Sequence, residues 1–240
     1  MRKQFWSFAS AADGRRELYL TNEISGQECW WSDVVTPNEF RAQLMSGRGE
    51  VRVWIDSPGG DAFAGAAIYQ MLREYSRIDG NHTVAMVTLA ASAASLVAMA
   101  CDVIRISLLG TVMIHEPWSV VAGKAIEHRA TAEVLENIRQ AQIRAYSERT
   151  GQSEEKILEL MQGTDGNGTY MNAHQAVELG FADAIIDAEG GEMNAMAMAI
   201  AAARVASLAD EVGEDPEKPV LADNTEARMA LMRSALMAWI

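Results

Sequence analysis

Along this chain the spacing of apolar residues changes from about two to about three and a half and back several times, and each change marks an element. Glu17 to about Cys29, ELYLTNEISGQEC, reads as a strand followed by a turn. A helix start comes next in WWSDVVTPNEFRAQLMS: Thr36 can cap, Pro37 suits the first helical position and Glu39 stands three residues after the cap. In VRVWIDS, Val51, Val53 and Ile55 alternate with Arg52, Trp54 and Asp56 before Pro58-Gly59-Gly60, which predicts a strand running into a tight turn. AFAGAAIYQMLREYSRI then returns to helical spacing and ends at the turn Asp79-Gly80-Asn81.

Thr83 to Cys101 is a run of 19 residues without a charge, long enough to span a membrane. It is built on alanine, with Thr83, Thr88, Ser92 and Ser95 inside it, and such a run gains little on transfer into lipid. It therefore divides into a strand, Thr83 to Thr88, and a helix from about Ser92 to before Asp102. Two short strands follow, DVIRIS and Thr111–Ile114, the second leading to His115. The longest helical pattern covers Ala125 to Arg149, with Ala130, Val134, Ile138, Gln142 and Ala145 on one side and Gly151 as its stop. Ser153 caps SEEKILELMQ, GTDGNGTYMN is a glycine-rich loop, and AHQAVELGFADAII closes the alternation as helix, glycine stop and strand. Alternating strands and helices predict an α/β layered fold.

The chain divides into an N-terminal arm, 1–16, a domain, 17–188, and a tail, 189–240. Of the net charge of −13, the tail holds −5, and it holds six of the 14 methionines. MNAMAMAIAAARVASLA is helical by propensity, residues near 210–224 have a linker's acidic and proline-broken composition, and TEARMALMRSALMAWI has the stripe of a helix that either docks elsewhere or packs on its own domain. The acid excess argues against nucleic acid as a partner, since binding phosphates calls for the opposite charge balance. Cys29 and Cys101 cannot build a disulfide framework, which suits a reducing compartment, and the N-terminus has no apolar stretch of signal-peptide length before Asp13. The expected location is cytoplasmic, with no membrane partner.

A hydrolytic nucleophile needs a hydroxyl at a helix start, a base within reach and N–H donors for an oxyanion. Ser92 meets the first condition, with Ala90, Ala91, Ala93 and Ala94 leaving room for a substrate backbone; its other use would be as an N-cap. Ser95 competes, but lies one turn into the helix. His115 ends a strand beside the turn Glu116-Pro117-Trp118, where either a base or a hydrogen-bonded structural histidine can stand. His82, His128 and His174 show no metal-ligand spacing, so no metal site is expected. The SPGG turn at Ser57–Gly60 can aim N–H groups outward at an anion or serve simply as a tight turn.

The order strand, DSPGGDAFAGAAIY, strand, LAASAAS, strand, MIHEPW, then TGQSEEKI and AHQAVELGFAD, resembles the Clp peptidase family over about residues 50 to 187. These are self-compartmentalised serine peptidases. The resemblance implies a ClpP/crotonase-like fold of repeated β-β-α units with helices packed on the sheets, here followed by a helical C-terminal tail. It implies a serine endopeptidase with Ser92 as nucleophile, His115 as general base, and the N–H groups of Gly60 and Ala93 as oxyanion hole. Substrate would add as a strand, no cofactor would take part, and subunits would form a homo-oligomeric ring with the helix of residues 125–149 between rings. The family's acid, counted back from Tyr170 and Ala173, falls on Gly168. Asp165 in the same loop is the expected third member, with Asn167 as a neutral substitute and a dyad without a third member also open.

The segments MRKQFWSFASAADGRRELYLTNEI and WWSDVVTPNEF are similar to the phage head maturation (prohead) subset of that family. This implies a protein substrate of scaffold or capsid type, processed within a procapsid in the host cytoplasm, and it argues against docking to an ATPase ring. The acidic tail then reads as a delivery segment removed by cleavage. Two alternatives stand: a catalytically weakened assembly or scaffold protein on the same fold, and a crotonase-type acyl-coenzyme A enzyme that would use the two N–H donors without a serine.

Overall fold

The structure, a computed structural model, describes residues 5–11, 14–25 and 37–186. The expectations for Thr36, for Cys29 and for the tail and its linker lie outside these residues. In chain order the elements are β1 (Trp6–Ser10), β2 (Arg16–Thr21), α1 (Pro37–Met45), β3 (Glu50–Ser57), α2 (Ala62–Ser76), β4 (His82–Ala91), α3 (Ala93–Met99), β5 (Val103–Ile114), α4 (Ala125–Thr150), α5 (Glu154–Gln162), β6 (Thr169–Asn172), α6 (Ala173–Glu178) and β7 (Ala184–Ile186). The seven strands form one sheet in the order β1-β2-β3-β4-β5-β6, with β7 also paired to β5.

Strands β2 to β5 are mutually parallel, and β1 and β6 flank them antiparallel. The β1–β2 pairing brings Trp6–Ser10, which the sequence assigns to an arm, into the sheet, where the Trp6 ring meets Phe40 edge-on at 5.3 Å. Parallel strands need both faces covered, which is why β4 is apolar on both, while β3 sets only Trp54 between Arg52 and Asp56 on its second face. One face carries Leu18, Leu20, Val51, Val53, Ile55, Ala85 and Val87 against the helices, including Leu72 and Tyr75 of α2 and Val97 of α3. The opposite face holds a smaller cluster of Trp54, Val84, Met86 and Ile186. There Tyr19 stacks on Trp54 at 6.2 Å, and the indole N–H donates to the buried carboxylate of Glu17.

Two of the sequence expectations change in detail. The strands expected at DVIRIS and TVMI are one strand, β5, whose pairing with β4 jumps from Val87↔Ile106 to Leu89↔Thr111. The intervening Leu108 and Leu109 are pushed out into solvent, and this bulge reads in sequence as a break. The pairing partner on the far side of β5 also changes, from β7 at Arg105–Ser107 to β6 at Thr111–Ile114. The apolar side expected along α4 is only partly used: Gln142, Ile143 and Tyr146 are buried, whereas Val134 is 45% exposed. Among the described residues no helix is long and apolar enough to cross a membrane. The uncharged run is β4 followed by α3.

Candidate active site

Three neighbouring parallel strands end at the same edge of the sheet, and their register places the candidate residues. Ser57 of β3 pairs with Ala90 of β4, and Ala91 pairs with Met113 of β5. Ser92 and His115 follow one and two residues later, so the fold delivers them side by side. The Ser92 N–H donates to Met113 O at 2.9 Å, and Ser92 Oγ lies 2.7 Å from His115 Nε2. Both residues are half-buried, shielded yet within reach of a substrate.

Ser92 takes φ 54° and ψ −127°, an unusual conformation for a residue with a side chain, at a cost of about 1–3 kcal/mol. It occupies the N-cap position of α3, but its side chain makes no capping hydrogen bond. Its hydroxyl lies against the imidazole instead of capping the helix. Ser95 is fully buried, donating to Ser92 O at 2.6 Å and lying 2.9 Å from Tyr146 Oη, so it is a support for the turn. Burial pushes the Tyr146 hydroxyl up to about 12, which keeps it neutral.

The SPGG turn packs directly under this serine. A Cβ on Gly59 would sit 2.5 Å from Ala91 O and 2.6 Å from Ser92 Cβ, so only glycine lets the turn approach. Ile24 brackets Gly60, donating to Gly59 O at 2.7 Å and accepting from Asp61 N–H at 2.8 Å. In a parallel bridge of this kind the N–H of the bracketed residue faces the other way, which leaves Gly60 N–H turned from Ile24. Ala93 opens α3, where first-turn N–H groups have no partner within the helix. Its close fit depends on Gly65 of α2, where a Cβ would come within 3.0 Å of Ala93 Cβ.

The other side of His115 is built differently. Thr169 pairs with Ile114 in the antiparallel β5–β6 ladder, which brings the next pair, His115 and Gly168, together. Gly168 has φ 85°, and a Cβ there would overlap Ile114 O and lie 2.5 Å from His115 Cβ. The position where the resemblance places the acid is thus filled by backbone. Asp165 is exposed at the loop tip, where hydrogen bonding from the Asn167 side chain, and from Asn167 N–H at 3.1 Å, lowers its pKa. Among the described residues no hydrogen bond or ion pair joins Asp165 to His115, and Asn167 is exposed as well. Burial holds His115 below the ordinary histidine range, outweighing a hydrogen bond to the Glu116 backbone that acts in the opposite direction.

Sequence reasoning named the Gly59 turn but not its close packing against Ser92, and it passed over the ion pair between Glu116 and Arg139, which are 2.7 Å apart. The doubled glycine after a strand was a signal for the first. The second joins residues 23 positions apart and left no local signal.

The site thus sets a half-buried serine, on a strained strand-to-helix turn, within hydrogen-bond distance of a histidine and beside a glycine turn. Residues 13–189 match the Clp protease family. The chain is 32% identical over 167 residues to the ATP-dependent Clp protease proteolytic subunit 2 of Treponema denticola, covering 69% of this chain and 78% of that protein. It is 32% identical to the corresponding subunit 1 of Streptomyces avermitilis (65% and 71% covered) and 30% identical to that of Prochlorococcus marinus (63% and 78%). The chain belongs to the Clp protease family, a family of peptidases.

Proposed function

We propose that this protein is a serine endopeptidase in which Ser92 attacks the peptide carbonyl and His115 takes the hydroxyl proton, later giving it to the leaving amine. Water then hydrolyses the acyl-enzyme by the reverse sequence. The N–H groups of Gly60 and Ala93 hold the oxyanion, and the substrate adds as a strand beside the glycine turn. Asp165 has no part in orienting His115, and the pair works as a dyad. The observation that carries this reading is the 2.7 Å contact between Ser92 Oγ and His115 Nε2, made while the serine forgoes its cap.

The substrate is a scaffold or capsid protein trimmed during phage head maturation, inside a procapsid in the host cytoplasm and without an ATP-driven partner. The similarity of the N-terminal segments to that subset and the change of composition at residue 189 support this. Subunits assemble as a homo-oligomeric ring, for which the exposed Trp118, Val120 and Ile126 provide apolar surface. Co-expression with the neighbouring capsid protein tests the proposal: wild type yields cleavage products and Ser92→Ala does not. Identical products from both would reject the peptidase and favour an assembly protein on the same fold.

A further inference from the structure

With backbone in the place of the acid, something else must fix the His115 loop, and the structure shows one fastening. Glu116, the residue after the histidine, donates its N–H to Met161 O of α5 at 3.2 Å. Its carboxylate Oε1 accepts from Arg139 Nη1 of α4 at 2.7 Å, and the other arm of that guanidinium meets Glu136 Oε2 at 2.5 Å. Among the described residues Arg139 Nε is buried without a partner, so the arginine acts there through these two arms. Both carboxylates of the trio are about one-third to two-fifths exposed, yet the guanidinium is held in a two-sided clamp. Resting on the peptidase reading above, we propose that Arg139 is a positioning residue. By gripping the Glu116 carboxylate from α4 it fixes the main chain that carries His115, doing for the imidazole's orientation what a third-member carboxylate would otherwise do.

Three physical points support the assignment. Charge-assisted hydrogen bonds of this length are about twice as strong as neutral ones. Displacing a catalytic group by about 1 Å can cost on the order of a hundredfold in rate. And Glu116 is the residue directly after His115 in the chain, so movement of its backbone reaches the histidine directly. The charged groups around the loop are Glu116, Arg139 and Glu136, while the Asp165 carboxylate is turned to Asn167 N–H.

The test compares wild type, Arg139→Ala, Arg139→Lys, Glu116→Gln and the double variant Glu116→Gln/Arg139→Ala. It reads cleavage of an unstructured protein substrate, the pH dependence of kcat/KM, and thermal unfolding. Arg139→Ala should lower kcat about ten- to a hundredfold with KM changed less than about twofold. The acid limb of the pH profile should move further down, because the backbone bond that raises the His115 pKa is loosened. Arg139→Lys should recover part of the loss, Glu116→Gln should match Arg139→Ala, and the double variant should be no worse than either. An unchanged acid limb with unchanged kcat, or losses that simply add, would overturn the inference. Should Arg139→Ala fail to fold, Glu116→Gln decides alone, since it keeps the main chain and the side-chain shape. If wild type itself cleaves nothing and Ser92 resists a fluorophosphonate, the peptidase reading is what has failed.

Discussion

Two segments flank the same histidine, and they are built in opposite ways. On the Nε2 side, residues 89–95 run from β4 through a strained turn into α3, every residue of α3 is buried, and Ser92 stands at 2.7 Å from the ring. On the other side, residues 163–168 form a loop with positive φ at Gly163, Gly166 and Gly168, and the backbone closes on His115 without offering a carboxylate. The contrast teaches that the placement of Ser92 and His115 depends on sheet register, which packing enforces. The third member hangs on a connection that can be rebuilt without disturbing the sheet. A Ser-His pair keeps catalysis through its oxyanion donors and its proton transfer even where the orienting acid is absent, at a reduced rate.

The comparison breaks first at Ser92. Ser92→Ala should reduce cleavage about 10⁴-fold or more, and adding His115→Ala should lower it little further, because the two act as a unit. Full activity in either variant, measured on purified protein with a peptide substrate, would remove the distinction between the two sides. Gly168→Asp is the next largest test. An acid is restored at the family position, but its Cβ overlaps Ile114 O, so the variant should lose about 1–3 kcal/mol of stability and gain no activity. A rise in kcat with an unchanged melting curve would show that the loop can still admit a third member.

The pH profile sharpens the comparison further. Burial disfavours the imidazolium, so the neutral base persists below the ordinary histidine range; activity present at pH 7 should fall only as pH drops through that lowered pKa. An acid limb centred above about 6.5 would require a nearby carboxylate holding the charge on His115. The smallest effect is expected from Asp165→Asn. Among the described residues this exposed carboxylate bonds within its own loop, to Asn167, and its replacement should change kcat less than about twofold.

Much of the Ser92 side was legible in the sequence. Val51, Val53 and Ile55 before two glycines, and the uncharged run around Ser92, fix strand ends by local pattern, and parallel pairing then aligns those ends. What was not legible depends on long-range pairing. The sequence cannot show that Thr169 pairs with Ile114, so it cannot show that Gly168 rather than Asp165 faces His115. The bulge at Leu108–Leu109 hides the continuity of β5, and the short β1 has too few residues to announce itself before the turn at Gly14. For Ser92 itself, local spacing favoured an N-cap over a nucleophile; the hydroxyl's contact with the imidazole, delivered by the next strand, could not be read there.

The dyad is tested most directly by the rate at which a fluorophosphonate labels the chain, with the labelled residue located by peptide mapping. The account predicts label on Ser92 in wild type and in Asp165→Asn at nearly equal rates, a rate lower by several orders of magnitude in His115→Ala, and none in Ser92→Ala. Label elsewhere, labelling untouched by loss of His115, or a collapse of the rate in Asp165→Asn would contradict it.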